Sequence, residues 1–262
     1  MTADAAELFA VEQVGPLRFR APTHAFGTPA VFGGQLFGLA LLAASGTFDG
    51  GRCRSITGSI VRAGVAGTPI ELEVARLRDG SVQRVRRVDV RQAGRGLVAT
   101  CVVSTGTSDQ PIVGWSPVTD PARLGEQPAE PGPSPFRDRW KMHAFDFAHP
   151  TGARYHPAWV RARVSLPQTA DAALDQALVA FVSDLGIVLA APEPGTLRDV
   201  MPATSEHVVW FHAPVAAGEW VHVDIDEVRR TDGSALVLAS LHRADGELAA
   251  SVAQGVALRR RR

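Results

Sequence analysis

The chain is poor in groups that bind metals or form cross-links. Its 262 residues include two cysteines, Cys53 and Cys101, too few for a disulfide framework or a metal cluster. Both lie in apolar stretches, so we expect small, buried, reduced side chains. The eight histidines show no metal-ligand spacing, and we expect His207 and His212 to be polar surface or sheet-edge residues on opposite faces of a strand. The sequence therefore predicts no metal site.

Net charge and long apolar runs are also missing. The 27 basic and 27 acidic residues cancel, so no long-range field would recruit nucleic acid or a membrane surface. We expect the local exception, Arg259–Arg262, to be a frayed, solvated tail. The longest apolar runs, such as FGLALLAA, are far short of a membrane span, and the N-terminus lacks the pattern of a signal peptide. These features predict a cytoplasmic protein without nucleic-acid or membrane partners.

Several common catalytic motifs are absent as well. The sequence has no G-x-S-x-G elbow, which argues against the nucleophilic serine of an α/β-hydrolase. It also has no phosphate-binding loop and no dinucleotide glycine fingerprint. Any chemistry must therefore come from other side chains.

What the chain does contain is a repeated unit. In each copy an apolar helix precedes four strand-like segments. The first copy has its helix at 31–48 and its strands at about 53–62, 70–78, 82–92 and 97–105. The second has its helix at 171–191 and its strands at about 205–213, 219–229, 234–243 and 247–258. Matching residues are 151 positions apart, as in Ile60 and Phe211 (211 − 60 = 151). Strands joined by short turns imply antiparallel sheets, and we expect the two sheets to join edge to edge because each alone leaves an unpaired edge.

A proline-rich segment separates the two units. Seven prolines fall between Pro111 and Pro135, and Trp115, Phe136 and Trp140 suggest that this segment packs along the surface. We predict an N-terminal unit at 1–110, an irregular linker at 111–150 and a C-terminal unit at 151–262.

Two polar residues stand out in the apolar parts of the C-terminal unit. Asp184 lies in the most apolar part of the second predicted helix. It is either a functional carboxylate or a solvated residue at the edge of the helix. Gln254 shares a strand face with Val252 and Val256, which should be the inward face. From spacing alone, Gln254 is either functional or an edge residue that bonds to backbone.

Stretches in both units resemble the acyl-CoA thioesterase II family, the TesB-like double hotdog thioesterases. The resemblance rests on VFGGQLFGLAL, RLRDG and RRVDVRQ in the first unit and on FVSDL, ATSEHVVWFHAP and GELAASVAQGVALR in the second. It runs from about residue 30 to residue 259, the linker excepted. It implies an α+β double hotdog, in which two tandem helix-plus-antiparallel-sheet units form one continuous sheet.

The resemblance also implies a reaction, the hydrolysis of acyl-CoA thioesters to a carboxylic acid and coenzyme A, which needs no metal and no redox cofactor. The family's catalytic trio falls on Asp184, Thr204 and Gln254. Asp184 would activate a water molecule, and the neutral Thr204 and Gln254 would hold that water without competing for its proton. Val103 stands at the repeat position of Gln254, and the first helix contains no acid, so we expect one active site per chain.

Three further residues are expected to bind the substrate: Gly33, Gly34 and Ser205. Gly33 and Gly34 open the first helix, where backbone N–H groups and the helix dipole favour a developing oxyanion. The alternative is that these glycines only permit tight helix–sheet packing. Ser205 lies directly beside Thr204.

Two alternative functions stay open, a non-catalytic binder of acyl-CoA or an acyl carrier and a hotdog hydratase or dehydratase. The latter usually needs an acid–histidine pair, and no histidine is near Asp184 in sequence. The resemblance further implies fatty acid metabolism and a homo-oligomer. Arginines on the first sheet should mostly be solvated, with one or two at coenzyme A phosphates: Arg76, Arg78, Arg84, Arg86, Arg87 and Arg91.

Overall fold

The structure, a computed structural model, describes residues 4–106, 124–149, 159–164 and 172–261. The first unit contains a 3-10 helix (Ala5–Phe9), β1 (Glu12–Gly15), β2 (Arg18–Ala21), α1 (Gly33–Ser45), β3 (Arg52–Ile60), β4 (Ile70–Asp79), β5 (Gln83–Gln92) and β6 (Gly96–Gly106). The rest comprises α2 (Pro135–Asp138), β7 (Phe145–Ala148), β8 (Trp159–Ala162), α3 (Ala172–Val182), a 3-10 helix (Ile187–Ala190), β9 (Val200–Phe211), β10 (Trp220–Thr231), β11 (Ser234–Arg243) and β12 (Leu248–Arg260).

The strands form one 12-stranded sheet, in the order β1-β2-β4-β5-β6-β3-β9-β12-β11-β10-β8-β7. The order in the second half reverses that of the first, and all neighbouring strands are antiparallel. The two units meet at the centre, where β3 pairs with β9 from Ser55–Trp210 to Ser59–Glu206. This seam removes the free edge that either unit alone would expose, and it confirms the predicted continuous sheet.

The sequence repeat is visible in the strand pairing. Ile56 pairs with Val103 in the first unit, and His207 pairs with Gln254, each 151 residues later, in the second. The pairing also slips by one residue at the same repeat position in both units, at Arg54 in β3 and at Ser205 in β9. These β-bulges bend the two central strands at equivalent points.

Helices α1 and α3 pack on each other on the buried face of the sheet, so closely that their backbones are in contact. A Cβ at position 34 would lie 2.6 Å from the Phe181 carbonyl oxygen, and one at position 38 would lie 2.9 Å from that of Ala177. Glycine at 34 and 38, one turn apart, therefore allows the close approach. The packing brings the last turn of α3 to the first turn of α1.

Both main helices are shorter than predicted. Helix α1 spans Gly33–Ser45 rather than 31–48, and α3 ends at Val182 rather than near 191. A turn at 183–186 follows α3, and Gly186 takes a left-handed backbone conformation (φ 78°) that interrupts the helix. Asp184 consequently lies in this turn and not inside a helix.

The predicted linker is not irregular throughout. Ser134 caps α2, and β7 pairs with β8 to add a strand at the edge of the sheet. Phe136 is buried and stacks on Phe147 at 5.5 Å, so this part packs on the protein as expected. Residues 107–123 and 150–158, including Trp115 and the predicted unit boundaries, lie outside the described residues, and the boundaries stay predictions.

One segment reaches the length and composition of a membrane span, contrary to our expectation from the apolar runs. Ala172–Ala190 has 19 residues with a mean hydropathy of 1.7, and 67% of it is buried inside the protein. A core helix meets the same criterion, so this is weak evidence for a span.

The prediction of mostly solvated arginines on the first sheet is confirmed apart from Arg86, the prediction of a frayed C-terminal tail is wrong, and the cysteine prediction is confirmed. Arg86 is buried, pairs with Asp79 at 2.5 Å and lies over the Phe48 ring instead of being solvated. The C-terminal run is not frayed up to Arg261, because β12 extends to Arg260 and the Arg261 N–H donates to the Asp199 carbonyl. Both cysteines are free and buried.

Residues 1–110 expressed alone should be insoluble or aggregated. This fragment would lose β9 from the edge of β3 and α3 from the surface of α1, which exposes an unpaired strand and an apolar helix. Solubility and an amide NMR spectrum of the fragment test the prediction. A well-dispersed spectrum from a monomer would contradict the dependence of the first unit on the second.

Candidate active site

Three side chains from separate elements meet near the N-terminus of α1: Asp184 in the turn after α3, Thr204 in β9 and Gln254 in β12. The Thr204 hydroxyl donates to Asp184 Oδ1 at 3.1 Å. Gln254 Nε2 lies 2.6 Å from both Asp184 Oδ1 and Thr204 Oγ1 and donates to each. The structure thus brings the predicted trio together, with Asp184 and Gln254 1% and 0% exposed and Thr204 half-buried.

The second oxygen of Asp184 contacts the first turn of α1. The Gly34 N–H donates to Asp184 Oδ2 at 2.7 Å, and the positive end of the helix dipole favours the ionised carboxylate there. Burial nevertheless raises the pKa of Asp184 to about 7, against the opposing effect of the hydrogen bonds from Thr204, Gly34 and Gln254. A carboxyl group with this pKa can exchange a proton near neutral pH.

The two glycines make room for this contact. A Cβ at position 33 would lie 2.6 Å from Asp184 Oδ2, whereas one at position 34 would strike the Phe181 carbonyl. Both positions therefore require glycine for close approach. The Gly34 N–H already has Asp184 as its partner, and the oxyanion role of Gly33 and Gly34 stays a prediction.

The β-bulge at Ser205 decides which of two adjacent hydroxyls joins the cluster. His207 and Val209 point to the buried face, and strict alternation would place Ser205 on that face as well. The bulge shifts the alternation by one residue, so Thr204 faces Asp184 instead. Ser205 lies outside the cluster and donates to Glu206 Oε2 at 2.5 Å.

The polar cluster is not repeated at the equivalent positions of the first unit. Cys53 stands where the second unit has Thr204, and Val103 stands where it has Gln254. Val103 is 0% exposed, and its neighbour on β5 is the buried Arg86 that pairs with Asp79. This difference supports one site per chain, which stays a prediction.

Sequence reasoning missed two buried residues beside the trio, His207 and Ser183. His207 is 1% exposed, so its prediction as a surface or edge residue is wrong; β9 lies between β3 and β12 and has no free edge there. Its Nε2 lies 2.8 Å from the Oγ of Ser183, the residue that precedes Asp184 in the sequence. The repeat contained the signal, because His207 corresponds to Ile56, an inward apolar position. His212 is exposed, as expected.

The neighbours of Asp184 in the cluster are neutral: a hydroxyl, a primary amide and a backbone N–H. Within the described part of the chain, no group of three or more His, Cys, Asp or Glu side chains could hold a metal ion. The carboxyl is therefore the titratable group of the cluster, which suits it to proton transfer.

A continuous antiparallel sheet with two paired helices on one face, and an acid-centred cluster between its two units, defines a double hotdog protein. Models of acyl-CoA thioesterase domains match both units, the N-terminal domain at residues 19–107 and the C-terminal domain at residues 115–258. The chain belongs to the acyl-CoA thioesterase family, and is thus a thioester hydrolase. This confirms the resemblance seen in the sequence.

Individual proteins agree with the family assignment. The chain is 27% identical to acyl-CoA thioesterase 2 of Haemophilus influenzae, with 94% of each chain covered. It superposes on the crystal structure of acyl-CoA thioesterase II TesB2 from Mycobacterium marinum with a TM-score of 0.76 and 25% identity, covering 98% and 97% of the two chains. A hotdog-fold protein from Alicyclobacillus acidocaldarius, at 18% identity, TM-score 0.62 and 97% coverage of both chains, supports the predicted fold.

Proposed function

We propose that this chain hydrolyses acyl-CoA thioesters with a water molecule activated by Asp184, assisted by Thr204 and Gln254. The observation that supports this most is the buried carboxylate, held by three neutral donors and with a pKa raised to about 7 by burial. A general base works best when its pKa is near the operating pH.

The hydrogen bonds suggest where the water binds. Asp184 Oδ1 accepts from Thr204 and Gln254, whereas Oδ2 accepts, among the residues that the structure describes, only from the Gly34 N–H. A carboxylate has about two acceptor sites per oxygen, so Oδ2 has one left for the water. In our proposal, Asp184 takes a proton as the water oxygen bonds to the thioester carbon. The C–S bond then breaks, and the proton passes to the coenzyme A thiolate.

The substrate-binding residues are a further part of this proposal. With the Gly34 N–H engaged by Asp184, the Gly33 N–H is our candidate donor to the thioester carbonyl oxygen. The resemblance also assigned Ser205 to the substrate, but its hydroxyl bonds to Glu206 and not to the trio. We therefore give Ser205 no chemical step.

The alternative functions gain less support. A hydratase would need histidine beside the acid, and His207 contacts Ser183 rather than Asp184, while burial lowers the pKa of His207 to about 3. Membership of the thioesterase family favours hydrolysis over a non-catalytic binding role. A role in fatty acid metabolism, a cytoplasmic location and a homo-oligomeric state are proposed from the sequence alone.

Thiol release from a panel of acyl-CoAs should rise with pH through about 7 and then level off. Asp184 acts as a base only when ionised, and its pKa of about 7 places the midpoint there. The measurement is kcat from pH 5 to 9 on the best substrate of the panel. A rate that stays flat or falls across this range would contradict Asp184 as the base, whereas no thiol release from any acyl-CoA would contradict the reaction itself.

A further inference from the structure

The turn that carries Asp184 has a second buried attachment to β9. Ser183 Oγ donates to the Ala180 carbonyl at 2.9 Å and lies 2.8 Å from His207 Nε2. Ser183 and His207 are 0% and 1% exposed. Two consecutive residues of the turn are thus fixed to one strand, Ser183 at His207 and Asp184 at Thr204.

The hydrogen bonds determine the protonation of this pair. A serine hydroxyl has one proton, and that of Ser183 goes to the Ala180 carbonyl. His207 Nε2 must then carry a proton and donate to Ser183 Oγ. Burial lowers the pKa of His207 to about 3, so the ring is neutral and its role is not to exchange protons.

His207 also contacts the other elements of the site. Its ring stacks on Phe37 of α1, with the centroids 4.9 Å apart. Gln254 is its direct partner on β12, and Gly58 is its partner on β3. A Cβ on Gly58 would lie 2.4 Å from the Phe37 ring, so glycine leaves the space in which this ring packs.

The first unit shows that the fold itself does not need this polar pair. Ile56 occupies the position of His207 there and is 0% exposed. A buried polar atom without a hydrogen-bond partner is costly, and His207 Nδ1 has no partner among the described residues. The Ser183–His207 pair occurs in the second unit, which also holds the candidate site.

We propose that Ser183 and His207 are positioning residues, which hold the Asp184 turn against β9 so that the carboxylate stays aligned with Thr204 and Gln254. This inference rests on the proposed role of Asp184. The two attachments lie on either side of the bulge at Ser205, so they fix both the distance and the rotation of the turn relative to the strand. A misplacement of about 1 Å at a reacting group can cost on the order of 10²-fold in rate.

The test compares four variants with the unmodified protein: His207→Ile, which copies the first unit, His207→Gln, Ser183→Ala, and the double variant His207→Ile with Ser183→Ala. Ile56→Val is the matched control at the repeat position, and Asp184→Asn tests the base itself. Each variant is checked for folding by circular dichroism. The readouts are kcat, KM and the pH midpoint of kcat for thiol release.

We expect His207→Ile to lower kcat about 10–100-fold with KM nearly unchanged. Its pH midpoint should rise, because a displaced Asp184 loses hydrogen bonds that lower its pKa. Ser183→Ala should lower kcat by a similar factor. The double variant should lose no more kcat than either single variant, since both substitutions break the same Ser183–His207 hydrogen bond. His207→Gln, which keeps a donor, should recover part of kcat, and Ile56→Val should leave kcat unchanged.

A folded His207→Ile protein with unchanged kcat and pH midpoint would overturn the inference, and so would losses that multiply in the double variant. Near-normal hydrolysis by Asp184→Asn would instead overturn the proposed function, and this inference with it. The Asp184→Asn result thus separates the two failures.

Discussion

Asparagine in place of Asp184 is expected to lower kcat by about 10²–10⁴-fold, the usual cost of losing a positioned general base. The substitution keeps the size of the side chain but removes its basic oxygen. The acyl chain and coenzyme A should make most of their contacts with other residues, so substrate affinity should change little. A loss confined to turnover indicates an interaction used in the transition state rather than in ground-state binding.

The same variant should be more stable than the unmodified protein at alkaline pH. Burial raises the pKa of Asp184 from 3.8 to about 7, so stability that is fully present below pH 4 is lost as the pH rises through about 7. Asparagine does not ionise and avoids this loss, which is on the order of 4 kcal/mol at about 1.4 kcal/mol per pKa unit. The gain should vanish below pH 4.

Single-turnover hydrolysis, calorimetric binding of a non-hydrolysable acyl-CoA analogue and thermal melting from about pH 3 to pH 9 measure these effects together. Near-normal hydrolysis by a folded Asp184→Asn protein would rule out this mechanism. It would also remove the reason for assigning Thr204 and Gln254 as partners of the same water. A variant that is less stable at every pH would instead show that the carboxylate is mainly structural.

Alanine in place of Gln254 is expected to lower kcat by about 10²-fold, the scale seen when one oriented donor is removed from an active site. Gln254 Nε2 donates to both Asp184 Oδ1 and Thr204 Oγ1 at 2.6 Å. Its loss takes one donor from each, and since the bond to Asp184 lowers that pKa, the pH midpoint of kcat should move above 7.

Val103→Thr is the matched control for Gln254→Ala, because the repeat places both residues at equivalent positions of the two units. Val103 is 0% exposed, so a new hydroxyl there should lower the melting temperature and leave kcat unchanged. Both variants are compared by kcat across pH and by thermal melting. Equal losses of activity at both positions, with folding intact, would argue for two sites or for a site elsewhere.

The candidate site belongs to neither unit alone. The N–H that holds Asp184 comes from Gly34 in the first unit, whereas Asp184, Thr204 and Gln254 come from the second. The close packing of α1 on α3, through Gly34 and Gly38, brings these groups together. Substitutions at this helix contact should therefore affect turnover without touching the trio.

The sequence by itself determined the repeat, the antiparallel sheets and the identity of the three clustered side chains. Strand periodicity and the turns located β11 at the predicted bounds, although β9 begins five residues before its predicted start at 205. These features were readable because alternation of apolar residues and turn residues are local properties of the chain. The family motifs then singled out Asp184, Thr204 and Gln254 among the polar residues.

The tertiary structure alone decided how these residues are held. The bulge turns Thr204 rather than Ser205 inward, and His207 is buried although it was predicted at the surface. Each outcome depends on neighbours far away in the chain, as in the hydrogen bond between Gly34 and Asp184, which are 150 residues apart. Strand alternation does not reveal a one-residue bulge, and composition does not show which helix end will meet a carboxylate. Contacts of this kind exist only once the two units have packed together.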